Sequence, residues 1–377
     1  MTPRARLAMW VALPIVLLLV VVGGYFFFRG KPPSRLTLAA ATFDQLIGWN
    51  DDTVAAVLPA LLRSCAAFLS KSDDSSLDRR PKNADFGSVG EWRPPCTAAA
   101  SLPAHDDRAA RHFFEAMFSP VLAANNGNIE GLFTGYFEIT LHGARQRGGR
   151  YQTPLYRRPP DPGRFTRAEI EDGALAGQGL ELLWVDDPVA AFFLEIQGSG
   201  RVRLHEGGVE RVGFDGTNSK PYVTVGRLLI ERGIIPREKL TMASIRAWMT
   251  AHPQEGAALR RENPSYVFFR EVPGDGPVGA ERVVLTAGRS LAVDRAFLPL
   301  GMPIWLEAQQ RYSPDAIRRL VVAQDTGGAI KGPVRGDLFW GHGSAAATGA
   351  GAMNARGHYY LLLPKAVAAR LTAAATD

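Results

Sequence analysis

The chain opens on an unbroken apolar run. Leu7 to Phe28 contains no charged residue, and its 22 residues would span about 33 Å as a helix, enough to cross a bilayer core. Trp10 and Tyr25 stand near its two ends, where interfacial aromatics concentrate. Pro14 and Gly23-Gly24 are tolerated in membrane helices. A cleaved signal peptide has a shorter apolar core followed promptly by a small-residue site. Here the run ends in Phe26-Phe27-Phe28-Arg29, and the nearest small triplet is the distant Ala39-Ala40-Ala41. The pattern predicts an uncleaved transmembrane anchor, with the rest of the chain a single soluble body on that tether.

Beyond a Pro-containing linker at Lys31–Leu36, Thr42 and Gln45 have capping-box spacing. They predict a helical stretch running towards Leu69, interrupted at Pro59. Lys71 to Pro95 is polar and reads as loop. Asp106–Phe118 reads as a second helix, with Phe113, Phe114, Met117 and Phe118 on its apolar side. From Gly131 the pattern changes to short apolar runs punctuated by Gly, Pro and Asp. These are Gly131–Leu141, Tyr151–Tyr156, Ala191–Ile196, Ser265–Val272, Arg282–Ala287, Met302–Leu306 and Leu320–Ala323. That rhythm predicts strands and an all-β body, with helices at Tyr222–Gly233 and Met242–His252.

Composition excludes a disordered chain, because 46% of residues are hydrophobic and only 21% charged. The net charge of +6 and pI near 9.4 invite a nucleic-acid reading. The charge positions remove it. Arg4, Arg6, Arg29, Lys31 and Arg35 flank the apolar run with no acid among them, which leaves +1 for everything after Arg35. A nucleic-acid partner is therefore not expected. No cysteine directly follows the run, so lipid attachment there is excluded. Cys65 and Cys96 are a disulfide if the body is exported, or two buried thiols; the sequence leaves both open.

The densest cluster of acids beside turn glycines lies in the C-terminal third. Asp294 precedes Arg295-Ala296-Phe297. Asp325 ends an apolar run and opens a Gly327-Gly328 turn. Asp337 stands beside Phe339 and Trp340. A carboxyl among aromatic rings is desolvated, and that raises its pKa towards neutrality; equally, an Asp at a strand end often only caps a turn. Gln197-Gly198-Ser199-Gly200 lacks the features of a phosphate loop or a nucleophile elbow. His342 and His358 match no common zinc spacing, so neither metal nor cofactor is expected.

Several segments resemble one known family in the right order. They are Phe133-Thr134-Gly135-Tyr136, Tyr151-x-Thr153-Pro154-Leu155-Tyr156-Arg157-Arg158-Pro159-Pro160, Gln197-Gly198-Ser199-Gly200, Asn263-Pro264-Ser265-Tyr266-Val267-Phe268-Phe269 and Asp325-x-Gly327-Gly328-Ala329-Ile330-Lys331-Gly332. Between Phe43 and Leu363 the chain resembles the membrane-bound lytic murein transglycosylase A family. Its last segments look like the 3D domain, named for three aspartates that correspond to Asp294, Asp325 and Asp337.

The resemblance implies a mainly β fold. It would comprise a double-psi β-barrel, an inserted second β-rich domain, N-terminal helices and the transmembrane helix. The implied division is 1–35 as anchor and linker, 36–139 as helices and first barrel part, 140–271 as insert, and 272–377 as the 3D domain completing the barrel. It also implies cleavage of the β-1,4 bond between N-acetylmuramic acid and N-acetylglucosamine in peptidoglycan, leaving 1,6-anhydro ends. Asp337 would be the acid/base, supported by Asp325 and Asp294. Thr134, Gly135, Tyr136, Gln197 and Ser199 would contact sugar. The partners implied are peptidoglycan glycan strands and, through the N-terminal helix, a membrane, expected to be the inner one. The body would act in the periplasm as a monomer. A hydrolysing glycosidase with two carboxylates and a non-catalytic murein-binding scaffold are the competing readings.

Overall fold

The computed structural model describes residues 33–373 apart from 79–80, 82–83, 275 and 312–313. The strands in chain order are β1 (Leu36–Ala40), β2 (Phe118–Asn125), β3 (Gly131–Ala144), β4 (Thr153–Tyr156), β5 (Glu181–Val185), β6 (Ser199–Leu204) and β7 (Val209–Thr217). They continue with β8 (Val267–Glu271), β9 (Ser290–Val293), β10 (Pro303–Gln310), β11 (Ala316–Asp325), β12 (Arg335–His342) and β13 (Asn354–Pro364). Hydrogen bonding links all thirteen into one mixed network, made of two sheets that share β3. β3 pairs with β12 and β13, and the path β3–β12–β9–β11–β10–β13 returns to β3, so six strands close into a ring. The β3–β12 and β9–β11 pairs are parallel, and the other pairs of the ring are antiparallel.

β3 is 14 residues long and serves two sheets. Residues 131–136 pair inside the ring, whereas Ile139–Gly143 pair in parallel with β6. Two cores result. The first joins the N-terminal helices to the ring, with Trp92, Phe114, Phe133, Trp305, Leu338 and Tyr359 buried. The second lies wholly between Ile139 and Phe269. The chain crosses between these cores at β3 and again after β8.

Two parts of the expected fold class are corrected. The body is not mainly β. Among the described residues, α-helices hold nearly as many residues as strands, and the fold is a mixed sheet with helices. The run Ala191–Ile196, expected as a strand, lies in the helix Pro188–Gln197. Its residues Val189–Leu194 are buried on every side, which erases the periodicity that separates helix from strand. Asp187 accepts from the Val189 and Ala190 amides at its start, and Gly198 ends it at φ 77°. Secondly, the transmembrane helix finds no support. Leu7–Phe28 lies outside the described residues, and no helix among those described is long and apolar enough to cross a membrane.

Smaller differences have local causes. Thr42 and Gln45 do form a capping box, but it opens only a 3-10 turn at Phe43–Gln45. Pro59 does not interrupt a helix; it sits in the first turn of Leu58–Leu69, where a missing N–H costs nothing. The expected loop Lys71–Pro95 contains the start of a helix, Val89–Ala99, capped reciprocally by Ser88 and Glu91. Arg282–Ala287 forms no strand, only an isolated Val278–Val284 bridge. The helix expected at Asp106–Phe118 runs from Asp107 to Met117 with Asp106 as its cap. Cys65 and Cys96 are bonded, with Cα atoms 5.5 Å apart, stapling Leu58–Leu69 to Val89–Ala99.

Candidate active site

β12 and β3 run side by side with Asp337 opposite Thr134 and Phe339 opposite Tyr136. Alternation along each strand puts these four side chains on one face. It turns Phe133 and Leu338 to the other face, into the first core. Thr134 Oγ1 donates to Asp337 Oδ1 at 2.7 Å. The same hydroxyl accepts from Arg335 Nη2 at 2.9 Å, so its proton is directed at the carboxylate. Asp337 Oδ2 has no protein donor among the described residues. Burial pushes the Asp337 pKa up to about 6; the Thr134 bond and Arg335 oppose the shift, and Asp325 adds to it. Asp337 is nevertheless part-exposed, so its free oxygen can meet a ligand.

Asp325 ends β11 and is fully engaged. Its Oδ2 accepts from the Tyr136 hydroxyl at 2.7 Å, and its Oδ1 accepts from the Ala280 and Thr326 amides, both at 2.9 Å. Burial raises its pKa against those three donors. The Tyr136 ring lies 5.3 Å from that of Phe339, and burial beside Asp325 drives its phenol well above its ordinary pKa. Arg335, Thr134 and Asp337 thus form one hydrogen-bonded chain, and Asp325, held by Tyr136, acts on Asp337 through its charge.

Asp294 plays a different part. It is 7% exposed, and its oxygens accept from the Ala296 amide at 3.0 Å and the Gly332 amide at 2.8 Å. It closes the turn after β9 and ties down the loop that leads into β12. Gly135 is a packing position. A Cβ there would lie 2.5 Å from Trp340 Nε1 and 2.8 Å from Ala350 Cα, so the indole needs this glycine. Gln197 ends its helix and accepts the Phe137 amide at 3.2 Å, bracing β3 next to Tyr136. Ser199 opens β6, two residues on, and is part-exposed.

Two groups escaped the sequence reading. Arg335 stands two residues before Asp337, and that spacing on a strand shares a face; the signal was there. Glu138, 1% exposed, is held by Arg211 at 3.2 Å where β3 passes from one sheet to the other. Burial raises its pKa against the pull of Arg211 and Arg201. Nothing local in the sequence marks that pair, since it depends on β6 and β7 folding back.

Known proteins of similar sequence bear on this arrangement. The MltA specific insert domain matches residues 132–270, and the 3D domain matches residues 289–363. The protein called membrane-bound lytic murein transglycosylase A in Vibrio cholerae is 38% identical over 233 residues, covering 60% of this chain and 62% of the relative. Its namesake from Escherichia coli K12 is 34% identical over 265 residues, covering 68% of this chain and 72% of the relative. This chain therefore spans rather less than two thirds of the first and rather more of the second. The crystal structure of E. coli MltA with bound chitohexaose superposes with a TM-score of 0.66 at 26% identity, covering 89% of this chain and 96% of that one.

Proposed function

Since this chain belongs to the membrane-bound lytic murein transglycosylase A family, we propose that it cleaves the β-1,4 bond between N-acetylmuramic acid and N-acetylglucosamine, with Asp337 as its single acid and base. The observation that carries this reading is the state of Asp337. One oxygen is fixed by Thr134, the other is free, and the pKa near 6 leaves about one carboxyl in ten protonated at pH 7.

The reaction needs no second carboxylate. Protonated Asp337 gives its proton to the glycosidic oxygen as the bond to the muramic anomeric carbon breaks. The C6 hydroxyl of the same sugar attacks that carbon, and Asp337 takes the hydroxyl proton, ending as it began. Tethering of the nucleophile supplies the proximity that a second catalytic group or water would otherwise provide. Asp325 is poorly suited to act as a second base, because both of its oxygens are occupied by three donors. It serves as a positioning residue that holds Tyr136 and raises the proton affinity of Asp337. Asp294 acts through the backbone of the loop before β12.

We place the glycan along the face of β3 between the two cores, against Thr134 and Tyr136, with Ser199 at its edge. The segment 140–271 would act as the inserted lobe closing one side, with 36–139 and 272–377 forming the other. The Cys65–Cys96 disulfide suits an oxidising compartment, and murein lies outside the cytoplasmic membrane; both favour the periplasm. Digestion of purified sacculi followed by mass analysis tests the reading. Anhydro-muropeptides from the wild type and none from Asp337→Asn are expected, and reducing ends from the wild type would refute it.

A further inference from the structure

The second lobe holds a buried cation that the proposed reaction does not use. Arg260 belongs to the helix Pro253–Arg261 and is 7% exposed. Its guanidinium has no hydrogen bond and no ion pair among the described residues. Nearby carboxylates are committed elsewhere. Glu195 is clamped by Arg167 at 2.9 and 2.6 Å, and Glu171 lies 3.4 Å from the same guanidinium. Burying a charge without a partner is costly, and desolvation already lowers the Arg260 pKa.

Arg260 lines a cavity of about 340 Å³. Tyr156 and Tyr266 line it as well, and neither hydroxyl has a hydrogen-bond partner among the described residues. Trp184 supplies a flat wall, with the Arg147 guanidinium 5.4 Å from its ring centre. Of the acids lining the cavity, Asp172 is taken by Arg261 at 2.6 Å, and the two glutamates are shared with Arg167. Arg147 already donates to Gln152 Oε1 at 2.7 Å, which leaves Arg260 and the two tyrosine hydroxyls as the unpaired donors of the cavity, and these are what an anion with planar oxygens requires.

We propose that this cavity is a carboxylate-binding site, and that in murein the carboxylate belongs to the peptide stem. The choice of peptide rests on the murein reading; the carboxylate specificity does not. The helix Pro188–Gln197 contributes Phe192 and Glu195 to the cavity wall and ends at Gln197, which braces β3 beside Tyr136. One face of this helix would thus line the stem site, while its C-terminal residue braces the strand proposed to hold the glycan.

The test uses the full chain carrying Asp337→Asn and no glycan, so loss of the proposed cleavage activity would leave it unaffected. A murein stem tetrapeptide, the same peptide with its carboxyls amidated, and acetate are titrated in turn, followed by calorimetry and by Trp fluorescence. The free-acid peptide should bind and raise the Tm. Amidation, or Arg260→Met, should weaken binding about tenfold or more, as expected for a lost charge-assisted hydrogen bond. Arg260→Met should leave the unliganded Tm equal or higher, and Glu171→Gln should tighten peptide binding by removing a competing carboxylate. The carboxylate site is overturned if the peptide does not bind, if its amide binds as well, or if both variants bind it unchanged. Acetate binding as tightly as the peptide would overturn the stem as its source.

Discussion

Replacing Asp337 by Asn separates the reaction from the folding energetics. Its carboxyl is carried from an ordinary pKa of 3.8 to about 6 by burial. A shift of roughly two units corresponds to about 3 kcal/mol of preference for the protonated form in the folded chain. The sign follows from proton counts. Between pH 4 and 6 the folded state binds more protons than the unfolded state, so wild-type stability falls as pH rises through this window. Asn carries no charge to desolvate, and its amide oxygen can keep the Thr134 bond. Part of the gain is lost with the Arg335 attraction, so Asp337→Asn should be more stable than wild type by about 1–3 kcal/mol at pH 7.5. It should match wild type below about pH 4 and produce no anhydro ends at any pH. Chemical denaturation of both proteins across pH 3.5 to 8 measures the difference directly. A variant that is less stable at pH 7.5, or whose advantage does not shrink on acidification, would refute the desolvated carboxyl.

Three further outcomes are expected. The kcat/KM for sacculi should fall as pH rises above about 6, because the acid must enter the reaction protonated; a profile flat to pH 8 would contradict this. Gly135→Ala should cost about 1–3 kcal/mol and cut turnover sharply, since its Cβ meets Trp340 and the Ala350 backbone; a fully active, equally stable variant would mean the indole moves freely. Replacing Cys65 and Cys96 together by Ala opens a loop of 31 residues and should cost roughly 3–4 kcal/mol, read by urea denaturation, with the Asp337 pH limb unchanged.

The residues that β3 and β12 bring onto one face are legible in the sequence because they sit in short motifs on strands. Thr134, Tyr136 and Asp337 alternate with buried Phe133 and Leu338, and that pattern survives any error in helix assignment. Tyr136 bonding to Asp325 was not legible, since it joins positions 189 residues apart and depends on ring closure. The helix Pro188–Gln197 has the sequence pattern of a strand for a definite reason. Val189–Leu194 are apolar and buried all round, and only the flanking Asp187 and Gly198 distinguish the segment from a strand. The helix Val89–Ala99 was hidden by Pro94 and Pro95, which remove two backbone donors yet are tolerated. Its capping pair, Ser88 and Glu91, was the stronger clue. Asp294 was read with the other two aspartates, although its spacing before Ala296 suited a turn cap just as well.

The double duty of β3 has a mechanical consequence. A pair of lobes joined by loops can swing apart on a few backbone torsions. Here one of the two crossings is a continuous 14-residue strand, clamped by neighbours along both halves and pinned at the passage by the buried Glu138–Arg211 pair. It behaves as a beam rather than a hinge. Opening the lobes would require bending that beam where its pairing passes from β12 to β6. Under the proposed function, a glycan strand would therefore enter without opening of the lobes, with the Thr134–Asp337 pairing preserved throughout.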